Sequence, residues 1–342
     1  MLHRLRDRGS SAQVLSAAAT GLTDFLDGNR LCSASLFERA QLDAKKLLTP
    51  TTAIGLDQYC EILERASHES TDPNIGLRYG QQFTPEKLGI IGYIALSSSD
   101  MLSAARNLAE YFPHHQQSTV TELIFSKPFY HLTYRINSPL IVERKQDAVV
   151  TLGMFCNVFR HCAGPDWSPD EVHLEHPPVE NASDIAAAFG APVKFNCSAN
   201  ALLFRPEKAI LPMPEANIKL YDLLRSTIMR LGMHEAPQTL IDKMFATIRA
   251  NVASNSLSLE FVSDLLGVPS WTMQRRLAEY GINFAALTDR VRQDMAKEYI
   301  SRCDLQVGQI SELLGYSEIS AFTRAFNRWF GTSPTHFRRN LV

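Results

Sequence analysis

The sequence predicts an α+β N-terminal domain followed by an all-α C-terminal domain with two helix-turn-helix motifs. Three observations predict this. Residues 1–210 mix helical periodicity with short alternating runs, residues beyond 240 show helical periodicity only, and beyond 240 a single helix-turn-helix pattern occurs twice. With 342 residues and 45% hydrophobic content the chain is long enough for two cores. Its formal charge of −2 does not by itself point to a polyanionic partner.

The N-terminal stretch MLHRLRDRGSSAQVLSAAATGL starts basic, but Ser and Thr interrupt its apolar patch. It makes a poor signal peptide and reads as the start of an ordinary helix over 12–27. Further helical patterns cover 56–67, 101–112 and 140–162. Alternating segments lie at 118–125 (STVTELIF), 129–136 (FYHLTYRI), 171–176 and 193–204, which predicts a small, mostly antiparallel sheet. Gly89, Gly92 and Ser97 to Ser99 are readable as close chain packing or as a pocket wall. His114 and His115, in YFPHHQQ, are readable as site residues or as an exposed polar loop.

Six cysteines, at 32, 60, 156, 162, 197 and 303, include no C-x-x-C pair, as expected of reduced thiols in a cytoplasmic protein. Cys156, His161 and Cys162 raise the question of a metal. They sit in the apolar helical run VVTLGMFCNVFRHC, where free cysteine commonly fills space, so neither metal nor cofactor is expected. No apolar window reaches transmembrane length, and no membrane partner is expected.

Pro212 and Pro214 in ILPMPEAN close the first domain, taken as residues 1–210. Residues 211–240 form a helical linker in which Ile218, Tyr221, Leu224, Ile228 and Leu231 recur every three or four residues, with Leu220 and Leu223 widening the apolar face. That face suits a dimer seam or docking against either domain, and a homodimer is expected. The last domain covers 241–342.

Its motifs fall at about 259–280 and 307–330. In the second, LLGYSEISAFTRAFNRWFGTSP, the positions Phe322, Ala325, Phe326, Trp329 and Phe330 follow the spacing of a core-facing helix. The opposite face reads Ser320, Thr323, Arg324 and Asn327, without the Glu and Lys pairs of an ordinary solvated face. Gly315 separates this helix from the one before, and Gly331 with Pro334 ends it. Leu265-Leu266-Gly267 repeats as Leu313-Leu314-Gly315; Met273, Arg275, Leu277 and Gly281 repeat as Phe322, Arg324, Phe326 and Gly331. In the first copy Met273, Leu277 and Tyr280 form the inner stripe, while Trp271, Gln274, Arg275 and Ala278 form the outer one. Gln and Arg can pair bidentately with adenine and guanine edges. Between the copies, FAALTDRVRQDMAKEYI buries Phe284, Leu287, Val291, Met295 and Tyr299, and such a helix spans about 25 Å.

On these residues, 256–339 resembles the DNA-binding domain of AraC/XylS transcriptional regulators. The strings SLEFVSDLLGVPSWTMQRRLAEYGINF, RVRQDMAKEYI and ISELLGYSEISAFTRAFNRWFGTSPTHFRR carry the resemblance without a break. It implies base contacts from Trp271, Thr272, Gln274 and Arg275 in the first reading helix and from Ile319, Ser320, Thr323 and Arg324 in the second. An Arg at the place of Arg324 can instead contact phosphate or a neighbouring acid. Ile319 stands where many relatives place a polar residue, making the second helix the weaker reader. Arg328, Arg338 and Arg339 are assigned to phosphate; for Arg338 and Arg339 a free solvated tail is the alternative. Residues 270–342 hold ten Lys and Arg against seven acids, a net of +3.

LGIIGYIALSSSDMLSAARNLAEYF, with DPNIGLRYG upstream, makes residues 15–205 resemble the arabinose-binding-type sensor domain of ornithine-utilisation-type regulators. The resemblance names a domain family and leaves the ligand open. It implies a transcription regulator, expected to be an activator, controlled by a small-molecule effector and working with double-stranded promoter DNA and RNA polymerase. Two alternatives stand beside it. One is a DNA-binding module fused to an enzyme, as in alkylation-repair regulators, but their P-C-H-R acceptor is replaced around Cys162 by H-C-A-G, and an enzyme is not expected. The other is an effector-independent DNA binder.

Overall fold

Ser16 and Ala17 send their backbone N–H groups to the carbonyls of Thr52 and Pro50, at 2.8 and 3.0 Å, and not along a helix. The first unit of the chain starts from that pairing. A computed structural model describes residues 12–179, 181–231, 239–254, 256–301 and 305–339. Contacts divide the chain into a first unit, residues up to 195 with 199–237, and a second, residues 196–198 with 238–342.

In the first unit β1 (Gln13–Leu15) runs antiparallel to β2 (Ala53–Gly55), and α1 (Leu22–Gly28) begins only after Gly21. The helix expected over 12–27 is therefore corrected. Strand pairing takes its first backbone donors, and Gly21, at φ 77°, breaks what remains. Three helices follow: α2 (Ser33–Ala40), α3 (Leu56–Glu69) and α4 (Ile75–Gln81). Then come α5 (Ile90–Leu96) and α6 (Met101–His115). The hairpin β3 (Thr119–Ser126) and β4 (Phe129–Ile136) leads to α7 (Lys145–Ala163). β5 (Glu171–His173), α8 (Ala182–Phe189), β6 (Val193–Lys194), β7 (Asn200–Phe204) and α9 (Ile218–Leu231) complete the unit.

The larger sheet has the order β3-β4-β7-β5-β6, antiparallel throughout except between β5 and β6. The single strand expected over 193–204 is two, because Asn196 takes a positive φ of 60°. The strand expected at 171–176 stops at His173, and the helix expected from 140 starts at Lys145. α7 is buried along most of its circumference, with Phe155 and Phe159 packing on Phe112, Tyr134, Trp167 and Phe204. α4 crosses it at backbone distance: a Cβ on Gly80 would stand 2.9 Å from the Val150 carbonyl oxygen, and one on Gly76 2.8 Å from that of Gln146. The glycines of DPNIGLRYG are thus a packing requirement.

α6 runs through Pro113 to His115, so of the two readings of His114 and His115 the exposed polar loop is corrected. Pro113 has no N–H for the Ala109 carbonyl, and the Thr121 hydroxyl from β3 donates to that oxygen instead, at 2.7 Å. His115 is buried against Phe112, and burial pushes its pKa down to about 4. Gly92 is a packing glycine, since a Cβ there would overlap the Pro85 carbonyl, while Ser97 to Ser99 line a cleft. Cys156 is buried and its thiol pushed up to about 11, as suits a space-filling side chain. Among the described residues no group of His, Cys, Asp and Glu gathers to hold a metal ion. Cys303 lies outside them.

Of the 211–240 segment, residues 211–231 pack with the first unit. Ile228 is buried, Tyr221 and Leu224 are half-buried, and the Tyr221 hydroxyl donates to Asn107 of α6 at 3.2 Å. Leu220 and Leu223 stay exposed; the side chain of Leu231 lies outside the described residues.

The second unit is helical among its described residues, with α10 (Leu240–Asn251), α11 (Leu259–Leu266), α12 (Ser270–Glu279), α13 (Phe284–Ile300), α14 (Val307–Leu313), α15 (Ile319–Phe330) and α16 (Pro334–Arg339). Leu287, Val291 and Met295 of α13 are buried as expected, with Phe284 and Tyr299 half-buried beside them.

Candidate nucleic-acid interface

The first helix pair is set by its caps. The Ser258 hydroxyl accepts the Phe261 N–H at the start of α11, and Gly267, at φ 63°, ends the helix in the left-handed conformation. The Ser263 hydroxyl donates to the Val268 carbonyl at 2.6 Å, fixing the turn ahead of Pro269 and α12. Met273 and Leu277 are wholly buried beneath α12, which leaves Trp271, Gln274, Arg275 and Ala278 on the outer face. Trp271 is 61% exposed, an unusual state for so large an apolar surface in a helix with a good core. The Arg275 guanidinium lies 5.6 Å from its ring and 4.0 Å from the Glu279 carboxylate. Glu279 also holds Arg276 at 2.7 Å, so this acid draws on two cations while Gln274 stays exposed to solvent. Thr272 is half-buried at the first turn.

The second pair repeats the design with a heavier core. Gly315 has φ 73°, and a Cβ there would stand 2.2 Å from the Val252 carbonyl oxygen, so both conformation and space require glycine. Phe322 and Phe326 are fully buried, and Phe326 packs on Phe330 and Phe337 at ring distances of 4.5 and 5.3 Å. The outward residues of α15 are Ile319, Ser320, Arg324 and Asn327, with Thr323 half-buried among them. Ile319 is 55% exposed, and its Cδ1 lies over Gly308 of α14. Arg324 is exposed and forms no ion pair among the described residues.

α13 is tied to the second pair and to α10 through polar contacts that its apolar periodicity does not reveal. Asp289 accepts from Trp329 Nε1 at 2.9 Å and from Arg328 at 2.7 Å. Arg292 donates to the Leu314 carbonyl at 3.0 Å and lies 5.1 Å from the Tyr316 ring. Glu298 pairs with Arg249 of α10. The only signal in the sequence is position: these residues lie three or four apart from one another or from the buried stripe. Of the three arginines assigned to phosphate, Arg328 is held by Asp289, and Arg338 donates to the Ile300 carbonyl at 3.1 Å, capping α13. Arg339 is exposed. Arg302 and Asp304, which enter the local charge balance, lie outside the described residues.

Two small-turn helix pairs joined by one packed helix define a double helix-turn-helix module. A model of the arabinose-binding N-terminal domain of AraC transcription regulators matches residues 32–213, and a helix-turn-helix domain model matches residues 262–340. The first match alone spans more than half of the chain, and the protein belongs to the AraC family of transcription regulators. It is 24% identical over 287 residues to the HTH-type transcriptional regulator VirS of Mycobacterium tuberculosis, covering 83% of this chain and 84% of that protein. It is 22% identical over 326 residues to the ornithine utilization regulator of Pseudomonas aeruginosa, covering 94% and 95%. The HTH-type transcriptional regulator VqsM of the same species is 36% identical over 84 residues, covering 25% of this chain and 26% of that protein. The chain is thus a DNA-binding transcription regulator with an N-terminal domain of ligand-binding type. Among the described residues no helix is long and apolar enough to cross a membrane.

Proposed function

We propose that the protein is a cytoplasmic, non-enzymatic activator that binds a small-molecule effector in its first domain and reads two successive major grooves of promoter DNA with its second. The observation that carries this reading is the matched exposure of the outer faces of α12 and α15 above fully buried inner faces. Trp271, Thr272, Gln274 and Arg275 read the first groove; Ile319, Ser320, Thr323 and Arg324 read the second. Arg328, Arg338 and Arg339 position the protein on phosphate, with Arg339 the freest to do so. RNA polymerase is the partner through which bound protein acts.

The protein acts as a homodimer through the side of α9 that its own unit leaves open, where Leu223 is 59% exposed beside Leu220. Sedimentation should find a dimer in the native chain and a monomer in Leu223→Asp. The DNA-reading role is tested by producing residues 238–342 alone and measuring binding to promoter fragments. Salt-sensitive, sequence-selective binding supports it; failure of the soluble fragment to prefer any sequence opposes it.

A further inference from the structure

The first unit holds a cleft of about 540 Å³ between α6 and the start of α9, within the range of small-molecule sites. Ser103, Arg106, Asn107 and Glu110, at positions i, i+3, i+4 and i+7 of α6, present one polar face to it, and Ile218 and Tyr221 of α9 stand opposite. The buried Ser98 hydroxyl and Asn107 amide are already committed. Tyr221 donates to Asn107 Oδ1 at 3.2 Å, Asn107 Nδ2 donates to Ser98 Oγ at 2.8 Å, and Ser98 donates to the Ile94 carbonyl at 2.9 Å. Ser103 likewise gives its hydroxyl to Asp100 at 2.9 Å. Ser98, Ser103 and Asn107 therefore shape a floor and do not offer the open array of donors and acceptors that a sugar needs.

Beside the Ser97 hydroxyl and the Asn217 amide, the chemistry left over is charge. Arg106 and Glu110 have opposite signs at i and i+4, with Cβ atoms about 5–6 Å apart on a helix surface, yet they form no ion pair within hydrogen-bonding reach among the described residues. Asp100 lies in the field of Arg106; the Tyr111 hydroxyl, itself beside Arg225, makes a side-chain hydrogen bond to Glu110 and leaves the rest of that carboxylate open; none of the three lines the cleft.

We propose that this cleft is an effector site for a small zwitterion of the α-amino-acid class, its carboxylate on Arg106 and its ammonium on Glu110. The ligand's side chain lies toward Ile218 and Tyr221. Bound there, it joins α6 to α9, the last described element before the chain enters the second unit, and so adds contacts to the segment that leads to the DNA-reading helices. The proposal rests on the reading of the first unit as effector-binding and supplies the ligand's place and class.

The test is calorimetric titration of the full chain with each of the common L-amino acids, with propionate and propylamine as probes carrying one charge only. At least one amino acid is expected to bind more tightly than either single-charge probe. Arg106→Ala and Glu110→Gln should each weaken that binding about tenfold or more, as for loss of a charge-assisted hydrogen bond. Absence of binding by every amino acid, equal binding of a single-charge probe, or unchanged affinity in both variants would overturn the proposal. Both variants without ligand should bind DNA like the native chain, so a negative titration with DNA binding intact counts against this cleft alone.

Discussion

The Asp289 carboxylate accepts the Trp329 indole N–H at 2.9 Å and so fixes α15 to α13, the helix between the two helix pairs. Its other oxygen takes Arg328 at 2.7 Å, an exposed pair worth little by itself. Asp289→Ala should cost about 1–2 kcal/mol of stability in the second unit, mainly through the indole. DNA protection in the second groove should weaken more than in the first. Denaturant unfolding and footprinting check this; equal weakening in both grooves would mean that Asp289 does not orient α15 specifically.

Gln274→Ala and Arg275→Ala should each lose roughly 1–3 kcal/mol on the preferred site and relax preference at one or two base pairs. Arg339→Ala should weaken all sequences alike and lower the salt slope by about one. Binding measured across single-base variants and salt concentrations separates the roles. Identical profiles for the three variants would remove the distinction between reading and positioning.

Leu277→Ala and Phe326→Ala occupy equivalent places in the two repeats, both buried. They should cost about 2–5 and 3–5 kcal/mol respectively. Leu265→Ala, at an exposed position near the end of α11, should stay within about 0.5 kcal/mol. Urea unfolding of the second unit provides the comparison.

The helices α12 and α15 were legible because each needs an apolar stripe and a left-handed glycine, both local in sequence. The bonds that fix α13 to its neighbours were not. Asp289, Arg292 and Glu298 read as ordinary charges on a helix surface, and only tertiary placement shows which partners they meet. In the first unit the long helices α3, α6 and α7 and the hairpin were visible by period. The short helices α2, α4, α5 and α8 offer barely two turns, too little to establish one. The run at 12–27 misled because its small residues fit helix well, while its backbone donors are claimed by residues 50 and 52.

Burial raises the pKa of Asp147 to about 7, with Tyr134 donating to it and Gln116 donating to the Tyr134 hydroxyl at 2.5 Å. The folded state thus holds a proton that an unfolded aspartate releases near pH 4, so this group's contribution to stability falls as pH rises from about 4 to 7. His115 contributes with the opposite sign, its low folded pKa favouring the folded state as pH rises from about 4 to 6.5. Subtracting the profile of Asp147→Asn from that of the native chain isolates the first effect. The difference should change by about 1.4 kcal/mol per pH unit in the middle of that window and level off above pH 7. A flat difference would place Asp147 among the ordinary ionised carboxylates.

In the proposed function α12 and α15 read one face of the duplex together, joined by α13, a packed helix about 25 Å long. Footprinting before and after insertion of five base pairs between the two contacted segments tests it most directly, since helix centres one turn apart are separated by roughly 10 base pairs. On the native site one subunit should protect about 15 to 20 base pairs on one face. The insertion should abolish protection at the second segment while the segment read by Trp271, Gln274 and Arg275 stays covered. Protection confined to a single groove on the native site, with affinity unchanged by the insertion, would contradict the account.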